Sequence, residues 1–102
     1  MPVERILLII EDDEAFARTL VRSFERRGYL VLLAGNLDEA AGVVARQTPG
    51  YAVVDLKLKG NSSGLACVQM LHKHDPDMLI VVLTGFASIN TAVEAIKLGA
   101  CQ

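Results

Sequence analysis

Three observations predict an α/β domain built on a doubly wound parallel sheet. Short apolar runs alternate with segments of helical period along the whole chain, in the order βαβαβαβα. The apolar runs carry too few polar residues for a sheet with one wet face, so helices must cover both faces. The stretches between them are short, which leaves the helices themselves as the crossovers.

The first strand is "RILLII" (5–10). From Glu14 to Arg27, Phe16, Leu20 and Phe24 recur every four residues and define an apolar helix face, and Gly28 ends that helix. "YLVLLA" (29–34) is the second strand. Asn36 followed by Glu39 has the form of a capping box and opens a helix that runs through Arg46. Pro49-Gly50 turns the chain into "YAVVDL" (51–56), the third strand. A polar loop, "KLKGNSSG" (57–64), leads to a helix from Leu65 to His74, which stops before Asp75-Pro76. Its apolar stripe reads Leu65, Val68 and Leu71, with Cys67 one position to the side as a filler of the helix flank. "LIVVLT" (79–84) is the fourth strand and "GFAS" (85–88) a short loop. Ile89, Ala92, Val93 and Ile96 then fall at i, i+3, i+4 and i+7, an amphipathic helix with Gly99 at its end.

Composition narrows the function classes. At 102 residues and 52% hydrophobic, the chain suits one domain (1–102) with an ordinary core. A formal charge of −2 gives no electrostatic footprint for nucleic acid and no polybasic membrane patch. The longest apolar runs are strand-sized, so no membrane span is expected, and "MPVER" lacks the apolar core of a signal peptide. Cys67 and Cys101 make neither a disulfide framework nor a zinc site, and reduced thiols in a cytoplasmic protein are expected.

Four consecutive acids, Glu11 to Glu14, follow the first strand directly. In open α/β sheets, ligands bind beyond the carboxyl ends of the strands where the strand order reverses. In the flavodoxin-like order that point lies between strands one and three, which brings Glu11 and Asp12 beside Asp55. Three carboxylates converging on one crevice call for a cation. Oxygen donors without His or Cys suggest a hard ion, and Mg²⁺ uses one or two carboxylates with waters and a phosphate. Asp55 can also serve as a carboxylate nucleophile toward a phosphoryl group. Thr84, at the end of the fourth strand, is placed to hydrogen-bond a phosphoryl oxygen, and Gly85 leaves its backbone N–H accessible. Each acid also has a plain structural use. Asp12 or Asp13 can cap the first helix, Asp55 can satisfy loop amides, and Thr84 can cap the last helix.

"LLIIEDDEAF", "YAVVDLKL" and "IVVLTGFASINTAVEAIKLGA" together resemble the receiver domain of bacterial two-component response regulators. The last of these and "FARTLVRSFERRGY" most resemble its RegA/PrrA/ActR branch. The resemblance covers nearly the whole chain. It implies that Asp55 is the phosphoacceptor, Asp12 a direct Mg²⁺ ligand, Glu11 a ligand through water, and the Lys57 backbone carbonyl a third protein ligand. It also implies that Thr84 is the switch hydroxyl and that a histidine kinase donates the phosphoryl group. Asp13 lies one place past the acidic pair and is read as a helix cap.

The family pattern is broken in two places. Gly64 follows Asp55 by nine residues where the family places a glycine after eight, so the loop is one residue long. The family's fifth strand, with an aromatic switch residue and a phosphoryl-binding lysine, and its fifth helix would fall beyond Gln102. The chain is therefore expected to be incomplete at its C-terminus, with no catalytic lysine of its own. Self-association through an exposed edge of the fourth strand is expected, and any DNA contact is assigned to a C-terminal domain outside this sequence.

Three rivals carry less of the sequence. "GNSSG" (60–64) fits a hydrolase elbow with Ser62 as nucleophile, but the only later histidines, His72 and His74, sit on the very next helix. A phosphatase with an Asp nucleophile would want an acid two residues after Asp55, where Lys57 stands. A receiver-like interaction module that is never phosphorylated would lack the complete acid set. The chain is accordingly read as a phosphoacceptor and not as a turnover enzyme. His72 and His74, two apart on a helix, are read as solvated polar residues.

Overall fold

The computed structural model describes residues 5–55 and 64–83 together with Val93 and Ile96. Within them the chain runs β1 (Ile6–Ile10), α1 (Glu14–Glu25), β2 (Leu30–Ala34), α2 (Leu37–Arg46), β3 (Tyr51–Asp55), α3 (Gly64–His74) and β4 (Leu79–Leu83). All strand pairs are parallel and the sheet order is β2-β1-β3-β4, as expected from the sequence.

Side-chain alternation along the strands splits each apolar run between two layers. Leu7, Ile9 and Val53 point to the face covered by Leu20 and Phe24 of α1, where Leu83 and the helical residues Val93 and Ile96 are also buried. Leu8, Ile10, Ala52 and Val54 point to the other face, against Ala40 and Val44 of α2 and Cys67 and Leu71 of α3. Leu7 through Ile10 have no exposed surface, which fits a central strand covered on both sides. Burying each such side chain is worth about 1.5–3 kcal/mol.

The helix boundaries follow from local chemistry. α1 closes in a Schellman motif, in which Tyr29 N–H donates to the Phe24 carbonyl at 3.2 Å and Gly28 N–H to the Glu25 carbonyl at 3.0 Å. Gly28 takes the left-handed conformation the motif requires, with φ of 88°. The Phe24 and Tyr29 rings meet edge to face at 5.7 Å across it, and Tyr29 meets Tyr51 likewise at 5.4 Å. At the start of α2, Asn36 Oδ1 accepts the Glu39 N–H at 2.9 Å, while Glu39 Oε1 accepts the Gly35 N–H at 2.7 Å. The expected capping box is present, shifted by one donor on its return bond.

α3 corrects the expected stripe. Gly64, Cys67 and Leu71 are its buried residues, Val68 is half-buried, and Leu65 is 59% exposed. Cys67 is thus a core residue and not a flank filler. Its thiol pKa is raised by burial, which makes it a poor nucleophile. His72 and His74 are exposed as expected, and His74 Nε2 lies 3.0 Å from the Thr48 hydroxyl. Ile89, Ala92, Gly99 and Cys101 lie outside the described residues.

Candidate functional site

From β1 the chain first moves outward to β2, then returns past β1 to β3, so the reversal of strand order falls between β1 and β3. Ile10 pairs with Val54, so Glu11 and Asp55 follow side by side at the carboxyl ends of neighbouring strands. Glu11 N–H donates to the Ala34 carbonyl at 3.0 Å, which extends the β1–β2 ladder by one residue and fixes the acid's backbone.

Glu11 is 4% exposed, the sole buried charged or polar side chain among the described residues. Its Oε2 accepts the Asp12 N–H at 3.0 Å, and its carboxyl is hydrogen-bonded to that of Asp55. Burial raises its pKa from 4.5 to about 7, and the hydrogen bond to Asp55 and that residue's negative charge push the same way. The backbone N–H groups of Asp13 and Asp12 oppose the rise. A carboxylate pair this close does not hold two negative charges comfortably at neutral pH unless a cation joins it.

Asp12 and Asp55 are half-buried and complete the cluster: one ligand oxygen from each of Glu11, Asp12 and Asp55 lies within 4.8 Å of the others. Asp13 turns away from it. Its Oδ1 accepts the Phe16 N–H at 3.1 Å, which makes Asp13, and not Asp12, the N-cap of α1. Of the acidic run, Glu11 and Asp12 thus lie with Asp55 at the crevice, and Asp13 lies at the start of the helix.

The donor set fits a hard divalent ion. All three donors are carboxylate oxygens, with no imidazole or thiolate among them. The three oxygens, within 4.8 Å of one another, would hold such an ion directly or through water. Lys57, Thr84, Gly85 and Ser62 lie outside the described residues. Among the described residues, no acid, histidine or cysteine beyond the expected three joins the cluster.

Comparison with known proteins gives the same direction. The family model described as the response regulator receiver domain matches residues 7–102. The photosynthetic apparatus regulatory protein RegA of Cereibacter sphaeroides is 42% identical over 95% of this chain, which covers 52% of RegA. The acid tolerance regulatory protein ActR of Sinorhizobium medicae is 41% identical over 95% of the chain, which covers 50% of ActR. The chain thus spans about half the length of these curated relatives. Among solved structures, a Burkholderia pseudomallei response regulator superposes with a TM-score of 0.75 at 48% identity, over 92% of this chain and 55% of that one. That crystal contains a phosphorylated aspartic acid, a calcium ion and citrate.

Proposed function

Because this chain belongs to the response regulator receiver domain family, we propose that it accepts a phosphoryl group from a histidine kinase onto Asp55 with the help of Mg²⁺. The observation that carries the proposal is the meeting of Asp55 with Glu11 and Asp12 at the switch point of the sheet. The phosphorylated aspartate and divalent ion in the Burkholderia pseudomallei relative support it.

In the proposed reaction an Asp55 carboxylate oxygen attacks phosphorus in line with the donor's P–N bond. That bond breaks as the new P–O bond forms, and the imidazole leaves with the bond's electron pair. Asp12 would bind Mg²⁺ directly, Glu11 through water, and the Lys57 carbonyl would add a third protein ligand. When bound, the ion supplies positive charge against the phosphoryl oxygens and against the three acids. In this reading Asp55, at the end of β3 and half-buried, would be held by the strand backbone for the attack, and the crevice would limit the water that hydrolyses the product. Thr84 and the Gly85 N–H would receive a phosphoryl oxygen and report the change. The chain is a phosphoacceptor and not a turnover enzyme. The output is transcription control, carried by a DNA-binding part of such regulators that this chain does not span.

Labelling by a small acyl phosphate in Mg²⁺, read by intact mass, tests the assignment. Asp55→Asn should abolish the added phosphoryl mass, and Asp13→Asn should leave at least half of it. Loss in Asp13→Asn with retention in Asp55→Asn would overturn the proposal.

A further inference from the structure

β2 forms one edge of the sheet, and among the described residues its only strand partner is β1. Its sequence, LVLLA, contains neither charge nor proline, the two devices that commonly keep an edge strand from pairing with another chain. Leu30 and Leu33 are 42% and 48% exposed. Beside them, Val31, Leu32, Leu33, Val43, Arg46 and Gln47 line an open cleft of about 280 Å³.

The helix next to this edge is polarised along the same direction. Glu39, at the start of α2, bonds Gly35 just past the end of β2, while Arg46, at the end of α2, lies in the cleft beside Val31 to Leu33. Glu39, Val43 and Arg46 stand at i, i+4 and i+7, so one helix stripe reads acid, apolar, base. At 1.5 Å per helical residue the stripe is roughly 10 Å long, within the roughly 16 Å that a five-residue strand spans.

A two-fold axis through the level of Leu32 would pair two β2 strands antiparallel and place the two stripes head to tail. Glu39 of each copy then meets Arg46 of the other, and the two Val43 side chains approach near the axis. We infer that β2 and α2 form a self-complementary surface on which a second copy of this chain docks, β2 against β2. Two short strands and one helix pair bury less than the about 1,200–2,000 Å² typical of stable complexes. The association is therefore weak and concentration-dependent.

Sedimentation equilibrium of the chain from ten micromolar to one millimolar tests the inference. A monomer–dimer equilibrium is expected, weakened at least tenfold by Leu33→Lys, an exposed position where circular dichroism should show the fold unchanged. Arg46→Glu and Glu39→Lys should each weaken self-association, because each sets like charges opposite in the homodimer. Mixing those two variants should restore it, since every pair across the axis is then opposite in sign. A chain that stays monomeric throughout, a dimer insensitive to Leu33→Lys, or a mixture no tighter than either variant alone would overturn the proposal.

Discussion

Glu11 combines 4% exposure with a carboxyl that titrates near 7 instead of 4.5, and the domain's stability must carry that difference. In metal-free protein between those two values, the folded chain holds a proton that the unfolded chain has released. The resulting stabilisation is complete below pH 4.5 and is lost as pH rises through about 7. Its ceiling is on the order of 3 kcal/mol. Glu11→Gln cannot titrate, so its melting temperature should fall less between these limits than that of the unmodified chain, both in chelator. Parallel melting curves across the pH series would contradict this account. The acids themselves were legible in the sequence, because they follow a strand and because the strand order brings Glu11 and Asp12 to Asp55. The assignment of Asp13 to the helix was legible too, since a cap needs only local backbone. The depth of Glu11 was not. It goes with one extra ladder bond to Ala34, a residue fixed only once β2 is in register.

At the scale of elements, α1, α2 and the strands match the sequence pattern to within two residues because cap, period and stop signals agree there. α3 shows where that agreement ends. Two stripes, Leu65/Val68/Leu71 and Gly64/Cys67/Leu71, both have helical spacing and share Leu71. Hydrophobicity alone favours the first, but the sheet side of the helix takes the second, with the smallest residue at its start. Leu71→Ala should cost about 2–5 kcal/mol, as a core truncation does. Leu65→Ala should stay within about 0.5 kcal/mol, as an exposed change does. Urea denaturation distinguishes the two, and equal costs would restore the sequence-based stripe. Gly28 gives a second test of an element boundary. A Cβ there would meet nothing within 4 Å, so Gly28→Ala isolates the backbone cost of a left-handed residue, about 1–2 kcal/mol.

For the molecule as a whole, the proposed metal binding would be linked to folding, because the three acids meet only when β1 and β3 are paired. Mg²⁺ at one hundred times its dissociation constant should stabilise the domain by about 2.7 kcal/mol, measured as a shift of the urea midpoint. Asp12→Asn should remove most of that gain, and an unchanged response would place the ion elsewhere. The same pairing governs the order of events in folding. Leu7 must find Tyr51, far along the chain, before β1 has its second neighbour, and this long loop makes the β1–β3 step slow relative to local helix formation. During synthesis, β1, α1 and β2 emerge well before β3, so the earliest segments wait with the acids of β1 still apart from Asp55. Electrostatic repulsion between Asp55 and the two acids after β1 thus enters only at the closing step. Because the ion's full ligand set is assembled only in the folded chain, Mg²⁺ should slow unfolding more than it speeds folding, and stopped-flow chevrons would show its effect chiefly on the unfolding limb.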